Sequence, residues 1–252
     1  MHKVKALIIS PHPDDAALSL GPIILAKHFA CEVVTVFNKV TKDYAHLLEL
    51  RPELIAPTRM KEDRQFAKAI NAGIVFLHEV DACNRGYADT ELFSGRFREK
   101  GLLTRLTRKF VRLFDRRRPD IVMVPAAIGG HVDHAVVLRA GISLAIARPA
   151  EYYIYEDIPY ALGKSQQAIK IELSEKVMEI SGGSCAVSPI AVRLGRKAVL
   201  EGGELLSFYR SQLSEDLRNA IRTYYSSAER PYTSRIWKIN VRGTKATGSV
   251  FK

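Results

Sequence analysis

Residues 4–16 read VKALIISPHPDDA, and residues 121–134 read IVMVPAAIGGHVDH. Each is a nearly unbroken apolar run of strand length that stops at a proline or at paired glycines and then delivers acids and histidines. Apolar runs without polar alternation suit strands buried on both faces, as in a parallel sheet covered by helices. Working outward, Cys31–Phe37, Ile74–His78 and Glu151–Tyr155 read as further strands. Helical stretches fall between them: one opened by Pro22 and running through Phe29, a basic amphipathic one near Gly101–Arg117, and Val132–Ala147. Another covers Arg59–Asn71, with Thr58 as N-cap, Glu62 near the capping-box position and Gly73 as the stop.

This alternation predicts βαβ units and hence an α/β fold. The expected architecture is a Rossmann-like, open, mostly parallel sheet with helices on both faces, its ligand site at the C-terminal ends of the strands. After about residue 160 the pattern loosens; Ser174–Ile180 and Val192–Arg210 read as helices and Ser234–Val241 as a late strand. Without a repeat, a low-complexity tract or a linker, the expectation is one domain over 1–252, a core over 1–160 completed by 161–252. The polar stretches 38–57 and 79–94 are longer than a structural connection requires and suit binding loops.

Composition narrows the function classes. The chain has 252 residues, 47% hydrophobic and 26% charged, as in soluble globular proteins. No apolar stretch approaches the roughly 20 residues of a membrane span. Cys31, Cys83 and Cys185 cannot all pair, and none has metal-ligand spacing, which argues against a disulfide scaffold or a thiolate zinc site. A cytoplasmic protein with reduced thiols is the expectation. A net charge of +11 invites nucleic acid as a partner. The basic residues are scattered, however, and the densest run, Arg116–Arg118, suits the solvated C-terminal end of a helix. Nucleic-acid binding is disfavoured, no membrane span is expected, and homo-oligomerisation is left open. Neither G-x-S-x-G nor a phosphate-binding glycine motif occurs, which disfavours a serine hydrolase, a P-loop NTPase or a dinucleotide enzyme.

The two loops carry the chemistry. Imidazole and carboxylate donors suit Zn²⁺ with an open position for water: His12 and Asp15 from one loop, one or both of His131 and His134 from the other. Asp14, beside a ligand but not obliged to be one, can take the proton of an attacking water. An imidazole opposite can stabilise an oxyanion or protonate a leaving amine, with Asp133 orienting that ring. The bland alternatives are that Asp14 or Asp15 caps a helical turn and that His131 and His134 line an ordinary helix face. His2, His28, His46 and His78 read as terminal, solvated or strand-end residues.

At these residues the chain resembles the LmbE/PIG-L family of zinc-dependent N-deacetylases. Pro11-His12-Pro13-Asp14-Asp15-Ala16 is similar to its (A/P)-H-P-D-D-E signature, and His131-Val132-Asp133-His134 to its H-x-D-H. Arg59–Arg64 resembles an R-x-x-E-D-R helix, and Asp81 with Arg85-Gly86-Tyr87 a further family loop. Tyr155-Glu156-Asp157-Ile158-Pro159-Tyr160 and Phe208–Gln212 resemble segments of one branch, so the similarity spans about residues 4–212.

The resemblance implies His12, Asp15 and His134 as ligands of one zinc per chain, or of another divalent metal, and Asp14 as general base. It implies His131 as acid or oxyanion stabiliser oriented by Asp133, with Arg59, Asp81 and Arg85 as sugar contacts. The implied reaction is hydrolysis of the N-acetyl group of an amino-sugar glycoside, such as an N-acetylglucosaminyl conjugate or an antibiotic intermediate. The sequence departs from the family in two places. Ala16 replaces the usual glutamate, a supporting residue outside the metal ligands, and Gly129 stands where some members have tyrosine. The first departure keeps a second reading open, a metal-holding but inactive sugar-binding relative; a basic nucleic-acid binder is the third. The turn Ala16–Gly21 is expected to aim backbone N–H groups at Asp14 and Asp15.

Overall fold

The computed structural model describes residues 3–42, 47–227, 232–243 and 250–251. Five strands form a parallel sheet: β1 (Lys5–Ser10), β2 (Ala30–Lys39), β3 (Gly73–Val80), β4 (Ile121–Pro125) and β5 (Glu151–Tyr155). Helices α1 (Asp15–Lys27), α2 (Pro52–Ala69), the short α3 (Asp89–Leu92), α4 (Lys100–Arg117) and α5 (Val132–Ala147) alternate with them. The remaining elements are α6 (Gln166–Ser181), β6 (Cys185–Arg193), α7 (Arg196–Leu205), α8 (Glu215–Ser227) and β7 (Thr233–Val241). Strand order is β3-β2-β1-β4-β5-β7-β6, with β7 antiparallel to both β5 and β6.

Leu7, Ile8 and Ile9 of β1 are buried on both faces, as are Val122, Met123 and Val124 of β4. Each such aliphatic side chain contributes about 1.5–3 kcal/mol, so the centre of the sheet is also its most strongly held part. Helix α1 packs on α7 and α7 on α8, while α4 packs on α5 and α5 on α6. The chain leaves β1 toward β2 on one side and reaches β4 on the other, which opens a crevice between the C-terminal ends of β1 and β4. In doubly wound sheets that switch point is where ligands bind.

Several local expectations are corrected. Helix α1 starts at Asp15, not at Pro22, which lies inside it. Residues 16–21 are therefore helix rather than a turn cradling the carboxylates, and the Ala16 N–H goes to the Ser10 hydroxyl. Helix α2 begins at Pro52, in the N1 position that proline favours, and it contains Thr58 internally. The proposed helix Val192–Arg210 is divided: its start belongs to β6, and α7 follows. Pro189 hid that strand; β6 pairs only with β7 among the described strands, and an edge tolerates proline.

Arg116 and Arg117 do close α4, with Arg117 paired to Glu32. All three cysteines are buried and free. No helix among the described residues is long and apolar enough to cross a membrane. His2 and His46 lie outside the described residues.

Candidate functional site

Two loops meet at the crevice. Beyond β1, the Ser10 hydroxyl donates to the His12 carbonyl (2.8 Å) and accepts the Ala16 N–H (3.1 Å), drawing residues 10–16 into a tight arc. The His12 N–H donates to Asp15 Oδ2 at 2.7 Å. Asp14, the residue before α1, has φ 122° and ψ −37°, a backbone conformation unusual for a residue with a Cβ. Such conformations cost on the order of 1–3 kcal/mol and persist only where the surroundings impose them. Beyond β4, His131 caps α5, its Nδ1 accepting the Asp133 N–H (3.2 Å), and His134 sits in the first turn.

The loops bring three donor atoms together. His12 Nδ1 lies 3.3 Å from Asp15 Oδ2, His134 Nε2 lies 3.3 Å from the same oxygen, and the two nitrogens are 3.3 Å apart. A tetrahedral ion with bonds of about 2.0–2.1 Å needs donor–donor edges of roughly 3.3–3.4 Å. The triangle has that edge on all three sides, so these residues fit a tetrahedral divalent ion with a vertex left for water or substrate.

Other donor groupings share His12. His12, His131 and His134 each offer a nitrogen within 4.8 Å of the others, and His12, Asp81 and Asp133 form a similar set. The last is the poorer cage, because Asp133 is already engaged by Arg85 Nη1 (2.7 Å) and the Ala82 N–H (3.0 Å).

The far nitrogen of each triangle histidine is held by a buried carboxylate. His12 Nε2 donates to Asp133 Oδ2 at 3.1 Å, and His134 Nδ1 donates to Asp157 Oδ1 at 2.6 Å. Asp157 in turn accepts the Ile128 N–H at 2.8 Å. Such contacts fix the tautomer and turn the opposite nitrogen's lone pair toward a metal.

This corrects the expected role of Asp133: its carboxylate orients His12, and only its backbone N–H touches His131. Once α5 starts at Val132, the Asp133 side chain points toward the 81–85 loop rather than back onto the cap. Asp157 is not among the site residues the sequence indicates; it lies within the segment 155–160, and nothing local marks which ring its acid reaches.

The electrostatics favour a cation. Burial opposes charge on His12, yet hydrogen bonds to Asp133 and Asp15 and the charge of Asp81 raise its pKa to about 9. His134 is raised despite burial by Asp15 and Asp157. Burial also opposes charge on Asp15, but the two histidines hold it well below the usual carboxylate range. A field that keeps protons on two buried imidazoles is one that a divalent ion can use, displacing those protons on binding. His131 is pushed down to about 3 by burial and by the charges of His12 and His134. Asp14 is pushed up to about 8 by burial and by Asp15, with Arg59 and His12 opposing.

The remaining sequence candidates divide. Asp81 is buried, its Oδ2 3.5 Å from His12 Nε2. Arg59 has a buried Nε without a hydrogen-bond partner among the described residues, and its charge acts on both Asp14 and Asp81. Arg85 is engaged by Asp133, Glu99 and the Val80 carbonyl. Asp81 and Arg85 are thus held inside the site and do not pair with each other on a loop surface. Ala16 is 1% exposed within the apolar core, so a glutamate there would have to be buried; Ser10 holds the loop from outside the metal cage instead.

A family model described as PIG-L, GlcNAc-PI de-N-acetylase, matches residues 7–145. The chain is 25% identical over 252 residues to 2'-N-acetylparomamine deacetylase of Streptomyces fradiae, covering 94% of this chain and 90% of that protein. Its fold is similar to the zinc-inhibited form of teicoplanin deacetylase Orf2, at TM-score 0.74 and 20% identity over 96% of this chain and all of the other. It is also similar to GalB, a 4-carboxy-2-hydroxymuconate hydratase from Pseudomonas putida, at TM-score 0.62 and 15% identity over 97% of this chain and all of that one. One architecture thus carries different reactions, and the reaction has to be argued from the site.

Proposed function

The chain belongs to the PIG-L (LmbE-like) family, and we propose that it is a zinc-dependent hydrolase that removes the N-acetyl group of an amino-sugar glycoside. The observation that carries this reading is the 3.3 Å triangle of His12, Asp15 and His134. Two imidazoles and one carboxylate with an open vertex are a donor set of catalytic zinc, here one ion per chain. A zinc ion held there supplies Lewis acidity, polarising the amide carbonyl and making water a better nucleophile.

The chain's own residues do the rest. Asp14 makes no side-chain hydrogen bond among the described residues and lies next to Asp15. It takes a proton as the water oxygen attacks the carbonyl carbon, then returns it to the nitrogen as the C–N bond breaks, giving acetate and a free amine. His131 accepts the Asp133 N–H at Nδ1 and therefore carries its proton on Nε2, which suits it to donate a hydrogen bond to the developing oxyanion. Its depressed pKa favours this role over that of a charged acid. Arg59 and Asp81 hold sugar hydroxyls, whereas Arg85 positions Asp133 and through it His12.

The paromamine relative supports an N-acetylated amino-sugar antibiotic intermediate as the substrate class. The test is to incubate the zinc-loaded protein with a panel of N-acetylglucosaminyl glycosides and measure acetate and free amine. Stoichiometric release that a chelator stops supports the proposal; sugar binding without release on every member overturns it.

A further inference from the structure

Phe93 is 49% exposed, the one aromatic among the large exposed apolar side chains of the described residues. It is nevertheless held firmly. It caps the C-terminal end of α3, whose start is tied by Glu91 reaching back to the Ala88 N–H (2.9 Å). Two residues on, the Gly95 N–H donates to the Gly130 carbonyl at 2.6 Å. Gly130 has φ +75°, and a Cβ there would lie 2.6 Å from the Phe93 carbonyl oxygen. The Phe93 backbone is thus clamped to the turn that presents His131.

The ring consequently stands at the site. Its centroid is 5.3 Å from that of His131 and 5.8 Å from that of Tyr160. Tyr160 in turn packs over Gly129, where a Cβ would come within 2.7 Å of the ring, and meets His134 edge-on at 6.1 Å. Several other aromatic rings, buried or half-buried, have a cation over a face: Arg64 over Phe76, Arg98 over Tyr87, Arg85 over Phe37 and Tyr87, and Arg139 over Phe97. No described cation lies over Phe93 or Tyr160.

A half-exposed aromatic corner beside a catalytic histidine gains less from folding than a buried one, and it is a good surface for a ligand with an apolar face. An acetamide is joined to its pyranose ring through the nitrogen alone, so an amide at the metal triangle brings that ring beside His131. A gluco-configured pyranose has its substituents at C2 to C5 equatorial and axial C–H bonds on the ring faces. Those weakly positive C–H groups complement the negative face of an aromatic ring.

We infer that Phe93 and Tyr160 form an aromatic subsite that stacks on the acetamide-bearing pyranose of a 2-acetamido glycoside. This rests on the deacetylase reading for what sits at the triangle, and its test separates the two. Wild type, Phe93→Ala, Phe93→Trp and Tyr160→Leu are titrated with methyl N-acetylglucosaminide by NMR, and acetate release is followed for that sugar and for acyclic N-acetylethanolamine.

Phe93→Ala is expected to weaken Kd and raise KM for the pyranoside by about 3–10-fold, the scale of one aromatic contact, with a smaller effect on kcat. Phe93→Trp should restore the affinity, Tyr160→Leu should weaken it, and the acyclic amide should not respond. Unchanged pyranoside affinity in Phe93→Ala, or an equal loss for the acyclic amide, overturns the subsite. Acetate release with a KM indifferent to Phe93 leaves the hydrolase reading standing alone. Phe93-dependent binding without acetate release leaves the subsite standing and removes the hydrolase.

Discussion

Two pairs of adjacent carboxylates, Asp14–Asp15 and Glu62–Asp63, feel the charge of Arg59, and their surroundings differ in kind. Glu62 accepts the N–H and hydroxyl of Ser211 at 2.8 and 2.6 Å. Asp63 accepts the Thr35 hydroxyl at 2.5 Å and the Tyr209 hydroxyl at 2.8 Å. That pair ties α2 to β2 and to the segment after α7, and its oxygens are taken by fixed protein donors. Asp15 takes one fixed donor, the His12 N–H, and otherwise faces two imidazoles, and Asp14 stands on a strained backbone with no side-chain donor among the described residues. An acid whose lone pairs are consumed by the fold is structural; one left without donors is available for chemistry.

The largest effect expected from this contrast is at the triangle. His134→Ala removes one of its three donors and should empty the site and abolish acetate release. Stoichiometric metal in that variant, by elemental analysis, would refute the ligand set. Next, Asp14→Asn should keep the metal and the fold while lowering kcat by about 10²–10⁴-fold, the usual contribution of a general base. A rate within a few-fold of wild type would move the base elsewhere.

Asp157→Asn tests the support behind His134. A loss of about 10–100-fold in metal affinity or activity is expected, because the amide can present its N–H₂ group to the ring and no longer fixes the tautomer. Competition with a chromophoric chelator reads the affinity, and an unchanged value would show that the 2.6 Å contact is incidental.

The smallest effect on catalysis, and the clearest on stability, is expected at Asp63. Asp63→Ala orphans two buried hydroxyls at about 1–3 kcal/mol each, visible in urea denaturation, with metal stoichiometry retained. Loss of metal with unchanged stability would reverse the contrast between the two pairs. Burial, with Asp15 adding to it, raises the Asp63 pKa to about 6 against the pull of Thr35, Tyr209 and Arg59. The folded state therefore binds this proton more tightly than the unfolded chain, whose carboxyl titrates near the ordinary value of about 3.9. The group's stabilising contribution is full below that value and declines as pH rises through about 6. The stability gap between wild type and Asp63→Asn should accordingly narrow from pH 4 to pH 7; a gap that widens would contradict the raised pKa.

Much of this was legible before any coordinates. Periodicity and breakers placed α5 and β5 at their observed bounds and the five parallel strands close to theirs, because a strand buried on both faces writes its burial directly into local composition. The motif residues of both loops were legible for a related reason: acids and histidines at the ends of apolar runs have few structural uses. The same locality explains the misses. Pro52 outcompeted Thr58 as a helix start, and β6 was invisible because an edge strand needs neither a continuous apolar run nor an unbroken donor series.

The sequence by itself determined the parallel core, the two chemical loops and the candidates for ligand and base, since each is a property of neighbours in the chain. Only the tertiary structure decided which acid serves which ring. His12 is 121 residues from Asp133, and Asp63 is 146 from Tyr209. Those pairings exist because the strand order sets β1 against β4 and β5 beside β4, and because α2 leans on the segment after α7. A hydrogen bond across such a separation depends on positions fixed by the packing of the whole sheet to within a few tenths of an ångström, and no local run of residues carries that information.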